Sequence, residues 1–284
     1  MFHMRRIGEL MILESDMFPV TLKHAFATRR LSQSSPGQQP VAKDDRPNFR
    51  IDSIEDTSKW WVKLRDRLFT PDHVGCVNNQ VHSGTVRGLD PENPGGELIE
   101  AGGFRIRVLG DGDGIIKPFC REQIFLSITT ADCLPCLAWD PVTGSTAAVH
   151  SGWRGLAADI HGNAVRTFES KFGAQAKDLH WAIGPSIDQN NYEVGMEVIA
   201  SLETAGFAES DWEPGDSKPG WKRSRRRDHY LVSLSTLAAM RLRSLGVPAE
   251  QIDICTLSTF DNPNLFFSYR RDGEVKGLQA AVIG

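Results

Sequence analysis

Two periodicities alternate along the chain. Apolar side chains cluster or recur at every second position over residues 104–109, 123–129, 134–138 and 145–149, and each segment is expected to be a strand. The run Asp140-Pro-Val-Thr-Gly144 is a turn by composition, so the last two segments are predicted to pair as a tight hairpin. Residues 155–172 switch to helical spacing, with Leu156, Ile160, Ala164, Val165 and Phe168 on one face. Further strands are expected at 179–183, 251–257, 265–269 and 278–283. Helices are expected at 194–205 and at 231–245, the second stopped by Gly246. The hairpin requires antiparallel pairing, which argues against a doubly wound parallel sheet. The expected class is α+β: a mixed, largely antiparallel β-sheet core flanked by helices, in a single domain over residues 1–284.

Two polar stretches interrupt the pattern. Residues 31–49 are rich in Ser, Gln and Pro, and residues 209–229 combine turn formers with a basic run from Lys222 to Arg227. Both are expected on the surface. The basic run would suit nucleic acid, but a net charge of −4 opposes a general nucleic-acid binder, so it is read as a solvated insertion. No internal repeat is visible. Near the N-terminus the longest apolar run, Leu10 to Leu13, is flanked by Glu9, Glu14 and Asp16, too short and too charged for a signal peptide or a membrane span. The expected address is the cytoplasm. Cysteines at 76, 120, 133, 136 and 255 form no dense even framework, which points to free thiols in a reducing compartment.

The hairpin carries the candidate chemistry. If residue 140 pairs with 145, Cys133 falls opposite Gly152 and His150 opposite Pro135, so a thiol and an imidazole return to one end of the sheet. Such a pair is a nucleophile with its base, part of a metal site, or a buried pair without chemistry. Around it, Thr129-Thr-Ala-Asp-Cys133 sets an acid beside the thiol, and Asn79-Gln-Val-His-Ser83 offers a further histidine. Val149-His-Ser-Gly-Trp-Arg-Gly155 leads into a helix, where Gly155, the first amides and Arg154 would suit an anion. A salt bridge is the competing role for Arg154, and core packing the expected role for Trp153. Cys136 completes a C-x-x-C with Cys133 but lies in a strand, where it is expected to be a core residue.

The segments NQVHSGTV, TTADCLPCLAWD, AAVHSGWRGLAADI and AIGPSIDQNNYEVG, with FFSYRRDG near the C-terminus, resemble in order and spacing the YfiH-type family, long labelled laccase-domain or multicopper polyphenol oxidases. The resemblance covers roughly residues 65–284. It implies the YfiH/CNF-like cysteine-hydrolase-type fold and a zinc site held by His82, Cys133 and His150, which are also its catalytic residues. It further implies phosphorolysis of adenosine, inosine and methylthioadenosine, with adenosine deamination as a companion activity. Arg154, Gly155, Arg29, Tyr192 and Arg270 are the candidate substrate-binding residues, and the proton donor is open among Asp132, Tyr192 and Glu193. Asp132 is also a candidate for orienting a ligand histidine. The family's early glycine- and serine-rich segment survives here only as Ala27-Thr-Arg29, and Gly277-Leu278 stands where the family closes on Gly-Arg.

A thiolate and two imidazoles suit zinc, and copper less. The eight histidines never fall within eight residues of one another, whereas a trinuclear copper cluster needs them closely spaced, so a laccase is the minority reading. Three alternatives remain: a metal-independent Cys133–His150 hydrolase acting on peptidoglycan precursors, a laccase-like polyphenol oxidase, and a non-catalytic partner-binding module whose structural zinc is closed by Cys136, Cys120 or His161. The expected partners are a nucleoside and phosphate, without nucleic acid or membrane, for a monomer or homodimer.

Overall fold

In the computed structural model, which describes residues 1–31, 46–120, 122–208 and 220–284, the strands form two large sheets rather than one core sheet. Eight strands make the larger, in spatial order Phe2–Ile7, Leu10–Ser15, His24–Leu31, Gln279–Ile283, Ile124–Thr130, Val74–Asn79, Phe104–Asp111 and Glu97–Ala101. Six make the smaller: Ile252–Ile254, His180–Ile183, Leu134–Trp139, Thr146–Ser151, Gly114–Lys117 and Val86–Gly88. A small third sheet joins Glu193–Gly195, His229–Val232 and Trp221–Arg223. Pairing is largely antiparallel, as expected.

Side-chain alternation explains the layers. On Gln279–Ile283, Ala281 and Ile283 face one hydrophobic cluster while Ala280 and Val282 face another. The shared cluster, with Phe26, Leu126, Ile128, Leu137 and Ala148, lies between the two large sheets. On the outer face of the larger sheet, the helix Ile54–Leu68 buries Trp60, Trp61 and Leu64, and Trp61 stacks on Phe104 with ring centroids 5.4 Å apart. Its first turn carries Glu55 and Asp56 and its last Arg65 and Arg67, which complements the helix dipole. The helices Ile160–Phe172, Met196–Thr204 and Leu234–Ser244 cover the outer face of the smaller sheet, over Cys136, Ala138, Ala147 and Val149. Helices thus flank a pair of facing sheets.

The hairpin forms in the expected register, with Pro135 opposite His150 and the Asp140 amide donating to the Ser145 carbonyl at 2.9 Å. Three expectations need correction. The helix expected over 155–172 is two helices, Trp153–Ala157 and Ile160–Phe172, because Asp159 takes a left-handed conformation at φ 55°. The strand expected at 265–269 does not form; those residues are irregular up to a short helix, Tyr269–Asp272. The helix expected from 231 starts at Leu234, because His229–Val232 pairs with Glu193–Gly195. Much of the two expected polar stretches, residues 32–45 and 209–219, lies outside the described residues.

Parallel pairing is what positions the site. Val74–Asn79 runs parallel to both Phe104–Asp111 and Ile124–Thr130, so all three end at one edge of the larger sheet. From that edge the chain crosses three times to the smaller sheet, through residues 80–85, 112–113 and 131–133. Thr146–Ser151 is antiparallel to both Leu134–Trp139 and Gly114–Lys117, so its C-terminal end returns to the same place.

Candidate metal centre and its surroundings

His82 lies in the first crossover, Cys133 in the third, and His150 near the end of the returning strand. One ligand atom from each lies within 4.8 Å of the other two, and among the described residues no fourth His, Cys, Asp or Glu joins them. The two imidazoles meet edge to face, with centroids 4.9 Å apart. Three donors at this spacing need only small side-chain movements to reach the 2.0–2.3 Å or so of zinc bonds. Two imidazoles and a thiolate fit that ion chemically.

The second crossover supplies a residue that the sequence pattern did not single out. Asp113 is buried, and its Oδ1 accepts from His150 Nδ1 at 2.8 Å, leaving Nε2 of that ring as the free nitrogen. The same carboxylate accepts from the His82 amide at 3.0 Å, the Ser83 amide at 2.6 Å and the Ser83 hydroxyl at 2.8 Å. One acid thus fixes one histidine by its ring and the other by its backbone, which holds His82 in a left-handed conformation at φ 60°. Burial alone would raise the Asp113 carboxyl, but the His150 and Ser83 hydrogen bonds hold it down at about 2. Gln80 ties this loop to the strand Ile124–Thr130, just before the third crossover: it donates to the Thr129 carbonyl and accepts from the Thr129 amide, both at 2.8 Å.

Burial also acts to raise the Cys133 thiol, yet the charge of His150 and hydrogen bonds from His150 and His82 bring it down to about 6. Burial lowers His150, but the Cys133 charge and Asp113 reverse that and raise it. A thiolate beside an imidazolium is therefore the favoured metal-free state. Gly152 faces this pair: a Cβ there would lie 3.0 Å from Cys133 Sγ and 3.5 Å from His82 Cδ2.

The other predicted residues divide. Arg154 is exposed, lies over the Trp153 ring at 4.3 Å, and takes no carboxylate partner among the described residues. Trp153 itself packs against the core, as expected. Gly155 is buried in the five-residue helix, facing Ile160 and the Ser83 carbonyl, so it packs elements together rather than lining the cluster. So short a helix offers no extended set of free amides for an anion. Tyr192 lies where burial, then the Cys133 charge, raise its phenol, with Arg270 and Arg154 acting oppositely. Arg270 lies over the Tyr192 ring at 5.2 Å and donates to the Glu193 carbonyl at 2.7 Å. Arg29 stacks on Phe267 at 4.4 Å, and burial lowers it to about 10. Glu193 binds the Ser224 hydroxyl, while the residue preceding the next helix is Gly195.

Asp132 does not orient a histidine. It is turned away at φ 98° and accepts from Thr259 Oγ1 at 2.6 Å, Ser268 Oγ at 3.0 Å and the Arg270 amide at 2.7 Å, which pins the C-terminal segment beside the site. Cys136 is buried in the core and paired with His161 at 3.7 Å. Neither joins the cluster, so the fourth ligand that a closed structural zinc requires is not found there among the described residues.

The family described as multi-copper polyphenol oxidoreductase laccase matches residues 23–284. A purine nucleoside phosphorylase of Bacteroides thetaiotaomicron is 34% identical over 165 residues, which span 58% of this chain and 58% of that relative. Purine nucleoside phosphorylase YlmD of Geobacillus stearothermophilus is 31% identical over 222 residues, 78% of this chain and 76% of the relative. Among solved structures, the hypothetical protein YfiH of Bacillus licheniformis superposes with a TM-score of 0.79 at 23% identity, covering 100% of this chain and 98% of that one. The last likeness is one of fold.

Proposed function

The chain belongs to the family described as multi-copper polyphenol oxidoreductase laccase, and from the cluster it carries we propose a zinc-dependent purine nucleoside phosphorylase, with adenosine deamination as a companion activity. The observation that carries this reading is the convergence of His82, Cys133 and His150 donors within 4.8 Å, with Asp113 fixing both histidines. The names of the phosphorylase relatives support the reaction class. Copper is the less suitable ion, and among the described residues no second cluster of ligating side chains accompanies the first, as a multicopper oxidase would need.

Zinc, when bound, supplies a Lewis acid with an open position. The chain's own residues do the remainder. Arg154, without a carboxylate partner among the described residues and near enough to Tyr192 for its charge to act on that phenol, would hold phosphate, with Arg270 as a second cation. A phosphate oxygen bonds to ribose C1′ as the C1′–N9 bond breaks. The electron pair leaves with the purine, which takes up a proton to give the free base and ribose 1-phosphate. Tyr192 is the proposed donor of that proton and regains one from solvent after the base leaves. Burial holds its phenol protonated, and the Arg270 and Arg154 charges, which act against that rise, would stabilise the phenolate formed in the step. Asp132 is committed to the C-terminal segment, and Glu193 to Ser224.

The lowered Cys133 thiol favours a second reading, a metal-independent Cys133–His150 hydrolase acting on peptidoglycan precursors. One experiment separates the two. Purified protein is assayed for phosphate-dependent release of adenine, inosine and methylthioadenosine being run in parallel, with zinc quantified on the same sample and a Cys133→Ala control. Adenine release with near-stoichiometric zinc and an inactive control is the expected result. Inosine formed from adenosine identifies deamination. A peptidoglycan precursor is assayed beside them on metal-free protein: its hydrolysis, lost on thiol alkylation, with no nucleoside turned over, transfers the assignment to the hydrolase.

A further inference from the structure

The basic run that the sequence pattern treats as a solvated insertion is part of the third sheet. Trp221–Arg223 pairs with His229–Val232, which pairs in turn with Glu193–Gly195, directly after Tyr192. Its base is fixed by the Val232 amide, which donates to the Tyr192 carbonyl at 3.1 Å, and by the Ser233 amide, which donates to Gly220 at 2.7 Å. Its tip is an ordered turn. The Ser224 amide donates to the His229 carbonyl at 2.8 Å, the His229 amide to the Arg226 carbonyl at 3.2 Å, and the Arg226 amide to Ser224 Oγ at 3.2 Å.

This turn concentrates positive charge in a chain whose net charge is −4. Lys222, Arg223, Arg225, Arg226 and Arg227 are all exposed. Arg227 alone meets a carboxylate, Asp228, at 3.5 Å with both side chains mostly in water, so the contact neutralises little. The other four take no ion-pair partner among the described residues. The turn is also linked to the site: Ser224 binds the Glu193 carboxylate, and the Glu193 carbonyl receives Arg270, whose guanidinium lies on Tyr192. At the other end of this link, Tyr192 lies within the influence of the Cys133, Arg270 and Arg154 charges, so the basic turn is tied through Ser224, Glu193 and Arg270 to the surroundings of Cys133. Guanidinium groups in series match the successive oxyanions of a phosphate chain.

We propose that the Lys222–Arg227 turn is a second anion subsite, which binds the phosphate chain of a nucleoside polyphosphate whose nucleoside end lies at the Cys133 site. The nucleoside half of this assignment rests on the function proposed above; the anion half does not. Neutral nucleosides would then be the minimal ligands of the site, and phosphorylated ones the tighter ligands.

The test compares the wild type with a triple variant, Arg225→Ser, Arg226→Ser and Arg227→Ser, whose exposed positions leave the core untouched. Circular dichroism and melting temperature verify its fold. Equilibrium binding is measured for inorganic tripolyphosphate, adenosine and ATP at low and high salt. The wild type is expected to bind tripolyphosphate with salt-sensitive affinity and ATP roughly tenfold or more tighter than adenosine, both advantages disappearing in the variant. Equal tripolyphosphate affinity in the two proteins, or no preference for ATP over adenosine in the wild type, overturns the subsite. Charge-dependent tripolyphosphate binding without any adenosine or ATP binding would keep the anion subsite and remove the nucleoside reading instead. A short single-stranded oligonucleotide that displaces ATP at lower concentration than ATP itself would overturn the proposal in favour of a nucleic-acid surface.

Discussion

Asp113 controls the candidate centre more completely than any ligand does, because both histidines depend on it. Asp113→Asn removes the charge that favours the His150 Nδ1 proton and presents an amide donor where the Ser83 amide and hydroxyl also donate. Metal affinity should fall about 10- to 100-fold, measured by competition with a chromophoric chelator; unchanged affinity would reduce Asp113 to a packing role. Gly152 is a second control point. Its φ of −85° suits any residue, so Gly152→Ala tests contact alone: the new methyl meets Cys133 Sγ at 3.0 Å. The expected result is loss of metal and turnover, with the melting temperature of the metal-free protein little changed from that of the metal-free wild type. Cys133 and His150 were legible as neighbours from the hairpin register, and His82 through the resemblance of its motif to the family's. Asp113 was not. It sits in the run Gly110-Asp-Gly-Asp-Gly114, which reads as a turn, and its partners are 30 to 37 residues away.

Among the elements, the break at Asp159 is the informative departure. The face of Leu156, Ile160, Ala164, Val165 and Phe168 is apolar at helical spacing and is buried as expected, so periodicity alone continues one helix through it. Asp159 interrupts the helix because its carboxylate does better outside it. It caps the Gly162 amide at 3.2 Å and pairs with Arg241 at 2.7 Å and Arg166 at 2.9 Å. Burial works to raise this carboxyl, but the Arg241 and Arg166 hydrogen bonds hold it down at about 2, against an unfolded value of about 3.9. A depressed carboxyl stabilises the fold above its unfolded pKa and loses that contribution as pH falls towards its folded one. Asp159→Asn keeps the cap and tolerates the left-handed backbone. At pH 7 it should cost about 1 kcal/mol or less, because the ion pairs are a third exposed. In urea unfolding, the gap between wild type and variant should narrow from about pH 4 to pH 2; a gap independent of pH would mean that the charge contributes nothing.

For the whole molecule, the centre joins two sheets. His82 and Cys133 lie in crossovers from the larger sheet, and His150 in the smaller. An ion bound only by the folded arrangement should raise the melting temperature in proportion to its affinity and free concentration. Scanning calorimetry should show zinc raising, and a chelator lowering, the wild-type transition, with neither effect in His82→Ala. The sequence by itself determined most of the strand and helix faces and the hairpin register that sets Cys133 opposite Gly152 and brings His150 to the same end, because these follow from local periodicity and short spacings. His82 joined them only through the resemblance of its motif to the family's. Tertiary structure decided the division into two facing sheets, the gathering of three crossovers at one edge, and the choice of Asp113 over Asp132 as the histidine partner. Those features depend on which distant strands pair, and in which direction. Pairing between distant strands is driven by burying whole faces, an energy that no single stretch of sequence carries.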